Sequence, residues 1–289
     1  MPPLSNQLIL ITGATSGIGR VTALELARQG AHVIILARNA AKAAQTQQEI
    51  QQHTGNQQVD VVLADLSDLE QVRRVAAELH DKYPRLDQLI NNAGLMFGAE
   101  REVSAQGYEL TLATNHLGPF LLTSLLLDML QKSPAARIIN VASEAHKFSK
   151  PTLDDIQSER SYSAVWEYGT TKLWNIMFTQ ELAKRLREQG IANVVTNALH
   201  PGAVATNYGQ QTGGIIGALL SLGRPFMLSP EQGARTSIFL ATDAKAGTSS
   251  GGYYSKSKPV AVNNRFNTPE NNHRLWEISE QLTGTNFLD

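Results

Sequence analysis

Leu8-Ile9-Leu10-Ile11-Thr12-Gly13-Ala14-Thr15-Ser16-Gly17-Ile18-Gly19 is the stretch that decides the fold. Its first half is a continuous apolar run rich in β-branched residues, which fits a strand buried on both faces. Its second half sets glycines at 13, 17 and 19 ahead of a helical pattern that runs to Gln29. Glycine lets a backbone turn with positive φ and come close to a ligand. The helix that follows aims its unpaired N–H groups and positive dipole end at whatever sits in the turn, and a pyrophosphate suits both. The spacing is G-x-x-x-G-x-G, not the G-x-G-x-x-G of the general dinucleotide fingerprint. No Gly-Lys-Ser/Thr follows, which excludes a Walker loop. Gly13, Thr15, Ser16, Gly17, Ile18 and Gly19 are therefore expected to form a phosphate cradle. An ordinary glycine-rich turn is the alternative, and the strand before it and helix after it count against that.

Outward from this unit the same alternation repeats. Strands are expected at Leu8–Thr12, His32–Ala37, Val59–Ala64, Gln88–Asn91, Arg137–Ala142 and Val194–Leu199, with a weak one at Gly252–Tyr254. Helices are expected at Gly17–Gln29, Ala40–His53, Leu69–Lys82, Gln106–Gln131, Ser163–Gln189, Pro230–Thr242 and Pro269–Leu282. Strands that alternate with helices imply an α/β fold, and right-handed crossovers make it a doubly wound parallel sheet of about seven strands. No linker or repeat interrupts the 289 residues, so a single domain is expected. The long irregular stretch Ala203–Ser229, glycine-rich with an apolar middle, reads as a lid on the substrate side.

Composition narrows the function. The formal net charge is −1, which points to neither nucleic acid nor an anionic surface as partner. There is no cysteine, which excludes disulfides, thiolate zinc sites and a cysteine nucleophile. Metal-ligand spacing of His, Asp and Glu is absent as well. Met1-Pro2-Pro3 is not the start of a signal peptide. The apolar segment from Leu117 to Leu130 carries Pro119 and Asp128 and is expected to be a core helix, not a membrane span. The expected location is cytoplasmic.

The second strand ends Leu36-Ala37-Arg38. An acid near this point grips a ribose 2′-hydroxyl in NAD-preferring sheets. Here the acid is missing and a guanidinium, a planar fork that matches phosphate, takes its place. NADP (NADPH) is thus expected over NAD. Asp65, after the third strand and followed by Leu66, is placed to accept from the adenine amino group or to cap the next helix.

Tyr168 and Lys172 lie four residues apart in a helical stretch, 25 residues after Ser143. Residues so spaced share a helix face. A phenol near neutral pH needs an adjacent cation to favour its phenolate, and Lys172 supplies one. Ser143 ends the fifth strand, where ligands of open α/β sheets bind. A second Tyr-x-x-x-Lys, Tyr254 and Lys258, lies in turn-forming sequence and is assigned no role. Asn115 sits in a helical run with Pro119 four residues on. Proline returns no N–H to the Asn115 carbonyl, so a kink and a freed carbonyl are expected.

Taken together, Thr12-Gly13-x-x-x-Gly17-Ile18-Gly19, Asn91-Asn92-Ala93-Gly94, Asn115, Ser143, Tyr168-x-x-x-Lys172 and Pro201-Gly202-x-x-x-Thr206 resemble the short-chain dehydrogenase/reductase family, in the right order from about Leu8 to Tyr254. The run from Tyr168 to Arg185, together with His200-Pro201-Gly202, is similar to its retinol-dehydrogenase-like branch. The resemblance implies a catalytic tetrad of Asn115, Ser143, Tyr168 and Lys172. Tyr168 would be acid in reduction and base in oxidation, and Lys172 would also bind the nicotinamide ribose. The Asn115 carbonyl would hold a water. Asn92, Ala93 and Gly94 would flank the adenine ribose. Pro201, Gly202, Val204 and Thr206 would line the nicotinamide end, with Thr206 on its carboxamide. Two departures stand out: no anchor is expected ahead of the first strand, and Ala142 stands where that branch often has a second serine.

The expected substrate site comprises Ser143, Met96, His146, Phe148 and Tyr168, with Tyr162, Trp166 and the lid as further walls. The substrate would be a small, largely apolar carbonyl or alcohol compound, and a homo-oligomer paired through two long helices is what the family implies. A non-catalytic dinucleotide sensor and a C=C reductase on the same fold stay open as alternatives.

Overall fold

A computed structural model of the chain describes residues 4–204 and 228–288. β1 (Leu8–Thr12) is buried at all five positions, as a continuous apolar run demands. It pairs in parallel with β2 (His32–Ala37) on one side and β4 (Gln88–Asn91) on the other. β3 (Val59–Leu63) lies outside β2. β5 (Ala136–Val141), β6 (Val194–His200) and β7 (Tyr253–Ser255) continue outward from β4. The spatial order of these strands, 3-2-1-4-5-6-7, places the topological switch between β1 and β4, where open sheets of this kind bind their ligands.

The expected parallel sheet of about seven strands gains an eighth, β8 (Lys258–Pro259), antiparallel to β7. Lys256 and Ser257 both take positive φ, as a tight hairpin requires. The hairpin puts Tyr254 in the core and Lys258 in solvent, so the second Tyr-x-x-x-Lys pair splits across it.

Helices cover both faces. α1 (Gly17–Arg28), α2 (Ala40–Thr54) and α6 (Pro230–Thr242) pack on one, over Ile9, Ile11, Val33 and Ile35. α3 (Leu69–Lys82), α4 (Leu110–Gln131), α5 (Ala164–Glu188) and α7 (Pro269–Thr283) pack on the other, over Leu10, Ile34, Leu89 and Ile138. α7 is pinned by Trp276, which stacks on Phe178 at 5.8 Å and meets Phe120 edge-on. By length and composition α4 is apolar enough to cross a membrane, but it lies mostly buried within the fold, as a core helix does.

Two boundaries differ from expectation for local reasons. α4 begins at Leu110 and not at Gln106, because Gly107 takes positive φ in a turn closed by the Val103–Glu109 bridge. Glu109 then caps the helix, accepting from the N–H groups of Thr111 and Leu112. Inside α4, residues Ala113–Leu117 form a π turn just ahead of Pro119. The expected kink is realised as this widened turn, which centres on Asn115.

Candidate active site

The glycine turn is held from two sides. Gly13 and Gly17 have φ of 67° and 52°, conformations that glycine alone adopts without strain. A Cβ on Gly13 would stand 2.9 Å from the Ala93 Cα. The loop after β4 thus lies directly on the turn after β1, and Thr12 ties them. Its hydroxyl accepts from the N–H groups of Asn92 at 3.0 Å and Ala93 at 2.9 Å. The Asn92 amide donates back to the carbonyls of Thr12 at 2.8 Å and Gly13 at 3.2 Å, crossing over Gly19, where any side chain would collide with it. Ser16 stands at the N-cap of α1 without a side-chain cap bond, while Thr15 is half-buried beside it. First-turn amides with no side-chain cap, set behind a glycine turn, suit a phosphate group.

Arg38 is exposed immediately after β2, and Asn39 caps α2 by accepting from Lys42. Asp65 follows β3, with its Oδ1 accepting from Ser67 N–H and Oγ–H. The cap of α3 is instead Asp68, which accepts from Glu70 and Gln71, so the capping alternative for Asp65 falls away. Leu66 is buried in the core.

Lys172 is buried on α5, and its ammonium donates to the Val141 carbonyl at 3.1 Å, at the end of β5. Burial pulls its pKa down to about 8. It lies 5.5 Å from the centre of the Tyr168 ring. Gly94 makes room for it, since a Cβ there would stand 2.5 Å from the ammonium and 3.4 Å from Asn115 Oδ1. Asn115, 0% exposed, clamps the neighbouring loop: it accepts from Leu95 N–H at 2.8 Å, donates to Leu95 C=O at 2.9 Å, and donates to the Thr171 hydroxyl at 3.1 Å.

Ser143 follows β5 in extended backbone and caps a short 3-10 helix, Glu144–Phe148, by accepting from Ala145 N–H at 3.1 Å. That helix lies against α5 at Gly169, the residue after Tyr168: a Cβ on Gly169 would stand 2.6 Å from the Ala145 carbonyl oxygen. The expected tetrad is thereby brought to one place, around the ends of β4 and β5 and the first half of α5.

Two residues expected on the substrate side, His146 and Tyr162, are placed elsewhere. His146 does not present its ring at the surface. Its Nδ1 lies 2.7 Å from the Ser143 carbonyl oxygen, its ring meets Tyr253 edge-on, and burial lowers its pKa, so it supports Ser143 from behind. Phe148 is 73% exposed at the end of the 3-10 helix. Tyr162, expected in the pocket wall, belongs with Glu109 and Glu167 in a separate buried nook. Met96 is half-buried on the loop after β4, and Trp166 is partly exposed beneath Lys150, whose ammonium lies 3.1 Å from its ring centre.

At the other wall, Gly202 takes φ of 96° and Val204 bridges Leu228 in parallel. Ile18 and Val204 both crowd onto Gly233 of α6, which joins the cradle helix to the segment beginning at Pro201. Thr206 and the body of the expected lid, 205–227, lie outside the described residues.

Sequence reading missed Gly169, Thr171 and Glu167. A glycine inside a helix is costly enough to signal a close approach, and Gly169 had that signal; nothing in the sequence marks the other two.

The model of the family described as short chain dehydrogenase matches residues 7–213, and the chain belongs to that family of oxidoreductases. It is 40% identical over 281 residues to retinol dehydrogenase 12 of Homo sapiens, covering 97% of this chain and 87% of that protein. It is 38% identical to Homo sapiens retinol dehydrogenase 13, with 97% and 86% covered. Among solved structures, an uncharacterised protein from Mycobacterium paratuberculosis superposes with a TM-score of 0.81 at 33% identity, over 99% of this chain and 97% of that one. A short chain dehydrogenase from Escherichia coli CFT073, solved with NADPH, gives 0.69 at 25% identity, over 88% and 97%.

Proposed function

We propose that the protein is an NADP-dependent oxidoreductase that interconverts a carbonyl and an alcohol on a largely apolar substrate, with Tyr168 as the proton-transfer group. The observation that carries this reading is the buried Lys172 ammonium beside the Tyr168 ring, fixed by Val141 and given room by Gly94. A cation placed there favours the phenolate and so brings the phenol into a useful range.

The described residues fit the cofactor. Gly13, Gly17 and the first turn of α1 receive the pyrophosphate, Arg38 the 2′-phosphate, Asp65 and Leu66 the adenine, and Asn92 to Gly94 the adjoining ribose. Lys172 and the Pro201–Val204 segment meet the nicotinamide end. When bound, the nicotinamide supplies or accepts a hydride. The chain's own part is to orient the substrate carbon and to move the proton. Ser143 Oγ holds the substrate oxygen, and Tyr168 delivers its phenolic proton to that oxygen in reduction or takes it in oxidation. Lys172 stabilises the phenolate left behind. Asn115 fixes the Leu95 loop and Thr171 so that Lys172 keeps its place.

The relatives named retinol dehydrogenases and the neighbour solved with NADPH support this class of substrate and this cofactor. The test is NADPH oxidation followed at 340 nm with a panel of apolar aldehydes and ketones. Tyr168→Phe should abolish turnover and leave NADPH affinity within about twofold. Retained turnover in that variant refutes the proton role, and absence of NADPH binding by the wild type refutes the cofactor assignment.

A further inference from the structure

Glu167 stands immediately before Tyr168, in the first turn of α5, and is only 4% exposed. An acid in a helix's first turn is ordinarily favoured as an anion. Its surroundings oppose that. One contact favours the anion, since Ser158 Oγ–H donates to Oε2 at 2.5 Å, but burial outweighs it and Oε1 is buried with no partner. Glu109, fully buried at the start of α4, belongs to the same nook, and so does Tyr162, whose hydroxyl interacts with Glu109 and Thr111.

The charges facing Glu167 come from three segments. Glu109 opens α4, Asp155 lies in the loop before α5, and Arg101 in the loop before α4 is the cation that acts on Glu167. Arg101 favours the anion of both acids but less than burial opposes it; its Nε donates to the Gln157 carbonyl at 2.9 Å, and it also faces Glu159 at 3.9 Å. Glu109 receives two backbone N–H groups, at 2.9 and 2.6 Å, which stabilise a carboxylate. Two carboxylates do not both ionise cheaply in one buried nook, so one of them keeps a proton. Burial pushes both acids up, but Glu109 holds two backbone donors against the single Ser158 hydroxyl on Glu167, whose other oxygen has no partner.

We propose that Glu167 works as a neutral acid and is a positioning residue for Tyr168, its proton keeping the first turn of α5 seated against the start of α4. Positioning here rests on the reading of Tyr168 as the proton-transfer group. Ionisation would set a second negative charge beside Glu109 and press apart α4, which carries Asn115, and α5, which carries Tyr168 and Lys172. Burial, with Glu109 adding to it, pushes the Glu167 pKa up to about 7, so the event falls in the neutral range.

Four measurements on the full chain test this. In wild-type protein labelled with carbon-13 at glutamate side chains, one carboxyl resonance should titrate near neutrality and should vanish in Glu167→Gln. Between about pH 4.5 and pH 7 the wild-type melting temperature should fall by roughly 5–10 °C, exchange at the amides of residues 164–169 should quicken through the transition beyond its intrinsic pH dependence, and Glu167→Gln should show neither change. Across the transition, wild-type kcat should fall about tenfold further than that of Glu167→Gln, with KM for NADPH unmoved. A glutamate that titrates only in the ordinary carboxylate range overturns the proposal, with no variant needed. So does an identical pH dependence in the two proteins. Should no substrate turn over, the titration and amide exchange still decide the proton's presence and its hold on α5, independently of the proposed activity.

Discussion

Replacing Gly169 with alanine should strengthen α5 by helix propensity alone, by up to about 1 kcal/mol. The packing argues for the opposite. The new Cβ would stand 2.6 Å from the Ala145 carbonyl oxygen and 3.4 Å from its carbon. Ordinary contact begins near 3.4 Å, so the 3-10 helix must retreat by the difference, 0.8 Å. The obstacle is backbone and cannot rotate away, and such overpacking costs about 1–3 kcal/mol. The net result is a destabilisation of about 0–2 kcal/mol, or a few degrees in melting temperature. Activity should suffer far more, because the retreating helix begins at Ser143 and leaves Tyr168 behind. A displacement of this order costs about a hundredfold in turnover. Thermal melts, NADPH titration and steady-state kinetics on one preparation separate the effects: kcat should collapse while NADPH affinity stays near wild type. A Gly169→Ala protein with wild-type kcat and a raised melting temperature would refute this account of how Ser143 and Tyr168 are brought together.

Stability of the protein without cofactor should pass through a trough between about pH 7 and pH 8. Glu167, raised from 4.5 to about 7, stabilises below the unfolded value, and that contribution is lost as pH climbs through the folded one. Lys172, lowered from 10.5 to about 8, stabilises fully above its unfolded value, and that contribution is lost as pH falls through the folded one. Each wall is worth about 3 kcal/mol; Glu167→Gln should flatten the acid side and Lys172→Met the alkaline side, as read by melting curves. Lys172→Met should also melt higher than wild type at neutral pH while losing its turnover. Arg38→Asp should raise KM for NADPH by about 30- to 100-fold and narrow the preference over NADH, since it removes a charge-assisted pair; an unchanged cofactor ratio would locate phosphate recognition elsewhere. Asn115→Ala strips both polar groups of Leu95 of their partner and should lower stability by about 1–3 kcal/mol, measured by denaturant midpoint, with activity lost alongside.

What could be read from the chain divides along a physical line. β1 and β2 were legible because each is a run of apolar residues that only a sheet covered on both faces can bury, and β4 to β6 because short apolar, β-branched cores recur between helical segments. Gly13 and Gly17 were legible because a positive φ leaves its mark on residue choice. β8 was not, since a two-residue edge strand depends on the Lys256–Ser257 turn and on β7 already being in place. Pro119 showed that the helix must give way near Asn115, but not that a widened turn would absorb the missing donor. The convergence of Asn115, Ser143, Tyr168 and Lys172 was carried by likeness to a family, and its cause lies in contacts invisible along the chain. Asn115 reaches 20 residues back to Leu95, Lys172 reaches 31 back to Val141, and Gly169 accepts the backbone of Ala145. His146 was misplaced because a histidine three residues after a serine gives no hint which way its ring will turn.

The ties at Thr12 bear on how the molecule is made. Its hydroxyl binds the N–H groups of Asn92 and Ala93, 80 and 81 residues downstream, and the Asn92 amide holds the turn in return. A nascent chain that has emitted β1, α1 and β2 has the glycines and the helix, yet lacks the clasp that shapes them. If the proposed cofactor reading holds, nucleotide affinity should therefore arrive late in synthesis, once β4 has slid in beside β1, and ribosome-bound fragments ending before that strand should not bind the dinucleotide.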